Sequence, residues 1–531
     1  MYLSHIAYHC AMNNNINEIL TYHNETKHAP SRYARSLGYM DWATQPDPFR
    51  SYKGAPSLSL PMSLNNTTPP YHLIFDKEVP AAPLLIESIS QFFQFSLGLA
   101  AWKQAGDNKW ALRCNASSGN LQPSEAYIIL PPLDKISTQC SLSHYAPKEH
   151  KLEKLCEFDS TFFDTLEKGS FLVGLSSITW REVWKYGERA FRYCSLDAGH
   201  AFRALQVSAM MLGWKVQVVS ATKDSELSRI FGFDQEHRYI KEEAEYPDML
   251  LSISPLQGQK ISLDTLIQDL PKEYKGSAYI LSRSHQAWEM IERIEKASFS
   301  DSVLREEVSS LPIPRLPSLE SKDLVLKRRS AQMMNPKNAS LSQEQFYTLL
   351  NSVKESMDGF ENSANLVLFV HEVEGLEKGL YLMIRNKKHL SSLKRLLRQS
   401  FVFEEIREDF YLLEKDDFRS RAKSISCNQD IAADGAFSLG MLCEFSTQIE
   451  EYGAHRYKEL YWECGAIGQQ LYLEATALGI AATGIGCYLD DTFHHLLGLD
   501  SNQFQSLYHF TIGRAIVDDR LMTLAPYHHL D

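Results

Sequence analysis

No stretch of this 531-residue chain holds the roughly 18 consecutive apolar residues of a membrane-crossing helix, and its start, MYLSHIAYHCAMNNN, has no basic region before an apolar core. No membrane is expected as a partner. The nine cysteines stand singly, without a CxxC pair or a Cys/His metal spacing, which excludes a zinc centre and a disulfide framework. No metal is expected, and a reducing cytoplasm is the default compartment. Positive charge is also short: 54 Lys and Arg face 66 Asp and Glu, a net charge of -12 that has the wrong sign for nucleic acid as the main partner. A local arginine cluster can still oppose that sign for a small anion. The 44% hydrophobic and 23% charged content is that of an ordinary globular protein, and the length suits several domains.

What the chain does have is one stretch carried twice. Residues 193–234 and 459–500 superpose without a gap at a constant offset of 266, matching Gly199 to Gly465, Leu205 to Leu471, Ala209 to Ala475, Leu212 to Leu478, Gly213 to Gly479, Asp224 to Asp490, Gly232 to Gly498 and Asp234 to Asp500. The apolar positions Cys194, Ala198, Ala201, Leu205, Ala209 and Leu212 recur as Leu460, Cys464, Ile467, Leu471, Ala475 and Leu478, at spacings that keep one helical face apolar. Each predicted helix stops at a Leu-Gly pair, where glycine accepts the left-handed conformation, and a strand follows. One chain is therefore expected to hold two copies of one α+β domain.

Around the repeats, residues 1–62 read as an extended arm, because Pro30, Pro46, Pro48 and Pro56 forbid one long helix; Tyr39, Trp42 and Phe49 would pin it to the first domain, or it would serve as a lid. The first domain is assigned to 63–300, a linker with three prolines and many serines to 301–326, and the second domain to 327–531. Within the first, 84–104 has helical period, 124–130 a strand pattern, and the turn at 145–150 leads to a charged segment read as helix. In the second, Ser340 or Ser342 can cap a helix bearing Phe346, Leu349, Leu350 and Val353, before antiparallel strands at 365–373 and 379–385.

Two short segments carry a resemblance. ASSGNLQP at 116–123, entering a strand, resembles the Pro-Ser-Ser-x-Asn-x-Gln-Pro segment of FMN-dependent nitroreductases, and KRRS at 327–330 resembles their Arg-Arg-Ser phosphate motif. Over nearly the whole chain, YHNETKH, DWATQPDPF, the Lys-Tyr of WKYGERAFRYC and the DAGH at 197–200 resemble the SagB/ThcOx-type dehydrogenase branch, which includes flavoenzymes that oxidise azolines to azoles in modified peptides. Ala116 stands where the motif has Pro, and Gln332 where many members have a further Arg.

The resemblance implies FMN as cofactor, an FMN-dependent oxidoreductase activity with hydride transfer to or from the flavin, NAD(P)H as a candidate electron donor, and a small-molecule or modified-peptide substrate. It assigns Arg328, Arg329 and Ser330 to the phosphate, where arginine forks match oxygens in pairs. Ser117, Ser118, Asn120 and Gln122 face the ring, as do Thr483, Gly484, Ile485 and Gly486, read as a donor-rich turn, and Arg520 adds charge near the phosphate. Lys185 and Tyr186 are the candidate catalytic pair, since hydride transfer requires a proton to leave a neighbouring atom. Plainer readings stand beside these: a solvated basic cluster, an Asn-Gly-type loop, a solvated Lys185 on a helix whose Tyr186 packs on Trp184. The place of ASSGNLQP in the second half is assigned to 426–435, and VVSAT at 218–222 replaces the glycine-rich run in the first. One complete set of parts predicts an internal pseudo-dimer with one FMN site and one degenerate site. The alternatives are a catalytically silent protein that binds flavin or another small ligand, and a cysteine hydrolase using Cys427 or Cys464 with His455.

Overall fold

A computed structural model describes residues 2–75, 79–219, 222–256, 258–299, 318–355 and 359–530, with side chains from residue 14 onward. Two seven-stranded antiparallel sheets dominate it. In spatial order the first runs Ser57–Ser59, Lys151–Phe158, Cys140–Ala146, Ser124–Leu130, Phe171–Ile178, Glu245–Ser254, Lys215–Val218. The second runs Glu404–Arg407, Phe410–Lys415, Gly379–Met383, Ala364–Val370, Phe437–Glu444, Phe504–Gly513, Ala481–Ile485. The sheets follow the same path, so each half is one copy of one α+β fold. Central strands are buried on both faces, and the period of two divides their side chains between cores. Ile128 and Leu130 join the large core common to both halves while Tyr127 and Ile129 enter a smaller one; Leu366, Leu368 and Val370 divide from Val367 and Phe369 in the same way.

Between the sheets lie two 22-residue helices, Ala190–Met211 and Arg456–Ala477, whose ends are 266 residues apart. The terminating glycines Gly213 and Gly479 have φ of 67° and 68°, the left-handed stop that the sequence predicts. These helices cross at the matched glycines. A Cβ on Gly199 would run into the Trp462 carbonyl, and one on Gly465 into that of Leu196, so backbone approaches backbone where only glycine allows it. Ion pairs bridge the halves reciprocally at offset positions: Arg192 Nη1 meets Asp490 Oδ1 at 2.9 Å, and Lys458 Nζ meets Asp224 Oδ2 at 2.8 Å.

The chain ends are exchanged. Residues 2–25 form a helix rather than an extended arm, and the arm grips the second half as well as the first: His28 N donates to Asp490 at 2.9 Å, and Lys27 pairs with Asp491 at 3.0 Å. Tyr39 and Trp42 remain 72% and 63% exposed, so neither is an anchor by burial, although Trp42 meets Trp184 edge-on at 5.6 Å; Phe49 lies under Arg113 at 5.3 Å. Conversely, Met522–Leu524 near the C-terminus pairs with Leu99–Ala105 of the first half.

Other expectations change for physical reasons. The helix expected over 84–104 stops at Gln94, and Leu99–Ala105 is a strand because it is paired on both sides, by Asn108–Arg113 and by the C-terminal strand. Lys151–Phe158 is a strand, not a helix; its partly exposed residues Lys151, Lys154 and Glu157 recur every third position, a rhythm that imitates a helical face. Most of the expected linker lies outside the described residues, but Ser321–Lys327 is helical. Ser342 caps its helix through the Gln345 N–H, and Ala364–Val370 pairs with Gly379–Met383 as expected. By strand order, the second-half counterpart of 116–123 is the segment leading into Ala364, not 426–435, which leads into Phe437–Glu444, the counterpart of Phe171–Ile178.

Candidate functional site

A cavity of about 620 Å³ opens between the halves, a size that suits a cofactor or small ligand. The first half contributes Ser117, Ser118, Gly119 and Asn120, with Tyr186, Tyr193 and His200; the second contributes Arg328, Arg329, Ser330, Thr483, Gly484, Ile485 and Gly486, with Tyr472 and Tyr508. The exchanged C-terminal segment adds Ile516, Val517, Asp518 and Leu521.

One end is basic. Lys103, Arg328 and Arg329 line it, and Asp518 is the one acid of the cavity wall among the described residues. Burial and the neighbouring Arg328 push Arg329 down to about 10, and burial together with Arg329 lowers Lys103, the signature of cations gathered without a counter-ion. Arg328 is fixed by donating Nε to the Cys114 carbonyl at 2.9 Å and Nη2 to the Arg113 carbonyl at 3.2 Å, with its guanidinium 5.1 Å from the Tyr472 ring. Its buried Nη1 has no hydrogen-bond partner among the described residues. Tyr472 also organises its neighbours: its hydroxyl accepts the Gly484 N–H at 2.8 Å and shares a hydrogen bond with Ser330 Oγ at 2.8 Å.

The other end is built on the loop before Ser124–Leu130. Asp197, on the first long helix, accepts from Ser118 N and from Ser118 Oγ, each at 3.0 Å. Burial pushes this carboxyl up to about 7 against those hydrogen bonds. Gly119, Asn120 and Gln122 have φ of 58°, 58° and 55°, so the loop turns through left-handed backbone. A Cβ on Gly119 would lie 2.6 Å from Tyr186 OH and 2.9 Å from Lys185 Nζ, which brings the Lys-Tyr pair against this loop. Lys185 Nζ also sits 5.2 Å from the Tyr186 ring. The pair ends the short helix Thr179–Tyr186, above Glu182, whose two buried oxygens have no hydrogen-bond partner among the described residues and whose pKa is raised well above the ordinary range by burial and by Asp197.

Most of the residues expected from sequence meet here, but three do not line the wall. Gln122 braces the loop from behind, donating its backbone N–H to Ser117 Oγ at 2.8 Å and its side-chain amide to Asn120 Oδ1 at 3.2 Å. Lys185 approaches the cavity through Gly119. Arg520 is 88% exposed and paired with Asp518 at 2.8 Å, away from Arg328. Thr483, Gly484 and Ile485 belong to the strand Ala481–Ile485 rather than to a turn, because they pair with Phe504–Gly513. Tyr193, His200, Tyr472 and Tyr508 went unassigned from sequence. His200 bridges Gln469 at 3.3 Å and Tyr508 at 3.1 Å, and burial with Arg328 holds it down to about 3, hence neutral. Tyr193 and His200 lie on the repeated helix but off its apolar stripe, and nothing in their spacing marks them as cavity residues. Cys464 is fully buried, which denies it a hydrolase role.

Two copies of an α+β fold, with a cavity between them that is basic at one end, define the class of protein. The model of the nitroreductase family matches residues 104–241 and 341–514, more than half of the sequence, and the chain belongs to that family. A solved structure described as a nitroreductase from Anabaena variabilis ATCC 29413 is similar over 94% of this chain and 99% of its own, at 20% identity and a TM-score of 0.69. Another from Ralstonia eutropha JMP134 covers 40% of this chain and 91% of its own, at 16% identity and a TM-score of 0.28. A Bacteroides fragilis NCTC 9343 nitroreductase with bound FMN covers 36% and 87%, at 15% identity and a TM-score of 0.21. These identities speak to fold alone, and the two short structures carry no argument at such scores. No curated protein matches the chain.

Proposed function

We propose that this protein is an FMN-dependent oxidoreductase of the SagB/ThcOx-type dehydrogenase branch, an internal pseudo-dimer with one composite site. The observation that carries the reading is the cavity itself, with its unpartnered Arg328 Nη1 at one end and the Lys185–Tyr186 pair against the Gly119 loop at the other. The residues fit the group: Arg328, Arg329 and Ser330 would hold the phosphate, while the 117–120 loop and Thr483, Gly484, Ile485 and Gly486 would flank the ring, with Gln122 supporting the loop. Arg520 would reach the phosphate only on leaving Asp518. When bound, FMN supplies the hydride acceptor or donor.

The chain's own residues do the rest. Arg328 neutralises the anion without needing to reorganise, because two carbonyls already fix it. Gly119 leaves a gap through which Lys185 and Tyr186 reach a bound substrate and remove a proton from the atom beside the hydride-donating carbon. Tyr186 is held protonated, its pKa raised well above the ordinary value by burial and by Glu182, so it acts as a donor or relay and Lys185 as the base. The substrate is a small molecule or a modified peptide, with NAD(P)H the candidate donor for the reverse flow. Flavin released from the purified, FMN-reconstituted protein tests the reading, with one per chain expected. Two per chain would refute the single composite site, and none would refute the cofactor. Bound flavin that no nicotinamide, azoline or nitro compound reduces or oxidises would favour a silent binding protein.

A further inference from the structure

Beside the cavity stands a second redox-capable group that the flavin reading does not use. Cys487 follows Gly486 at the end of the strand Ala481–Ile485 and lines the cavity. Cys427 comes from the loop after the helix Arg419–Ile425, and its Sγ lies 2.8 Å from Cys487 Sγ. The loop delivers it with strained backbone: Cys427 and Asn428 have φ of 54° and 61°, a left-handed pair without glycine. Both thiols are partly exposed.

The surroundings distinguish the two sulfurs. Ala34 N donates to His28 Nδ1 at 3.0 Å, which leaves the Nε2 proton for the hydrogen bond that His28 makes to Cys487. Arg189 adds positive charge on the same side. The hydrogen bond from Cys427, the one from His28 and the Arg189 charge lower the Cys487 pKa; Cys427, the donor to Cys487, is raised. A second pair supplies an internal contrast: Cys443 and Cys464 approach to 3.5 Å, but both are fully buried, out of reach of any reagent.

We propose that Cys427 and Cys487 form a reversible dithiol–disulfide couple in the wall of the cavity, a two-electron centre additional to the proposed flavin, with small-molecule disulfides as its exchange partners. In the oxidising direction, the Cys487 thiolate attacks one sulfur of the small disulfide and displaces one thiolate, forming a mixed disulfide. Cys427 then loses its proton to solvent and attacks Cys487 Sγ, expelling the second thiolate. Two protein thiols are oxidised and one small disulfide is reduced to two thiols, which balances the two electrons. The sulfurs need move together by less than 1 Å to reach a bond of about 2.05 Å. Closure ties the 426–428 loop to the strand end that carries Gly486 and removes a thiol from the cavity wall.

The test uses the full ligand-free chain in glutathione buffers from reducing to oxidising, followed by acid quenching, alkylation and peptide mass analysis. The expected result is a joined peptide pair containing Cys427 and Cys487 that appears and disappears with the buffer, while Cys443 and Cys464 stay reduced. In native reduced protein, Cys487 should alkylate about tenfold or more faster than Cys427, following its thiolate character. Cys427→Ser should trap one glutathione on Cys487, with native tryptophan fluorescence as the check on folding. Independent glutathione adducts on both cysteines of the parent chain, or no oxidation at either, would overturn the couple. None of these readouts requires flavin, so failure here leaves the FMN reading standing.

Discussion

Phe202 and Gly468 stand 266 residues apart on helices of equal length, and they separate the two halves of the interface more sharply than any motif. Phe202 meets Phe360 at 4.9 Å, and a Cβ on Gly359 would lie 2.7 Å from Val218 Cγ2 and 3.3 Å from the Phe202 ring. Apolar packing thus fills the place where, by offset, a second cavity would stand. At Gly468 a Cβ would fall 2.8 Å from His200 Cε1 and 3.0 Å from Tyr508 Cε1, both residues of the open cavity. Val218 likewise stands where the complete site has Gly484. Duplication gave both sides the same frame, and a few changes of side-chain volume decide which side has room for a ligand.

The largest expected effect comes from emptying the filled side. Phe202→Ala removes a fully buried ring and should cost about 3–5 kcal/mol in urea unfolding, as large-to-small core substitutions do. Flavin content should stay at one per chain, because the first half of the sequence has no Arg-Arg run to match Arg328 and Arg329. A second flavin in this variant would show that volume alone separates the sides.

Next come the two short helices that precede the long ones. Lys185 and Tyr186 have Glu451 and Tyr452 as their offset counterparts at the end of Ser446–Tyr452. Lys185→Ala and Tyr186→Phe are expected to retain flavin and slow its reduction by the true substrate by roughly 100-fold or more, the scale of a positioned acid or base. Tyr452→Phe is the control and should leave the rate unchanged in stopped flow. Unchanged rates for all three would make the pair structural, and lost flavin would put it on the wrong side of the site.

Arg328→Ala tests the basic end. It should weaken FMN relative to riboflavin by about 1.5–3 kcal/mol, the cost of a charged hydrogen bond, because only FMN carries the phosphate. Equal losses for the two ligands would refute the assignment.

How much of this was legible beforehand follows from where the offset holds. Gap-free from 171 to 234, it gives the strands that begin at Phe171 and Phe437, both long helices, their glycine stops and the helices that begin at Asp224 and Asp490. Outside that window the connections differ in length. Residues 426–435 were therefore matched to the wrong loop, and only the hydrogen-bonded strand order corrects it. The 117–120 loop and the 328–330 run were readable through the resemblance of ASSGNLQP and KRRS to nitroreductase segments, since composition alone left an ordinary turn and a solvated basic cluster open. Tyr472 was not, since a tyrosine on a helix face looks like core until the Gly484 N–H and Ser330 Oγ are seen to meet its hydroxyl. The exchange of chain ends was equally hidden: nothing in His28 or Met522 names a partner hundreds of residues away.

The smallest effect concerns a matched pair of acids. Asp197 and Glu463, at the same offset, each accept backbone N–H groups from the loop before a central strand, Ser118 for one, Ser363 and Ala364 for the other. Glu463 is also paired with Arg385, whereas no ion pair joins Asp197 among the described residues. A carboxyl buried without a cation favours its neutral form, and burial raises Asp197 to about 7 from an ordinary value of about 3.9. For a raised folded-state pKa, the stability contribution is complete below the unfolded value and is lost as pH climbs through the folded one. The parent chain should therefore lose stability relative to Asp197→Asn between about pH 4 and pH 7, by at most about 1.4 kcal/mol per unit. Beyond that window the difference should level off. Asp248 and Glu295, which burial also raises, to about 7 and about 8, titrate in both proteins and cancel in the difference. Urea unfolding of the two proteins at pH 5, 6, 7 and 8 measures it. A constant difference across the series would mean that Asp197 is already ionised at pH 5, held by its hydrogen bonds from Ser117 and Ser118, and that the Arg385 partner makes no distinction between the two acids.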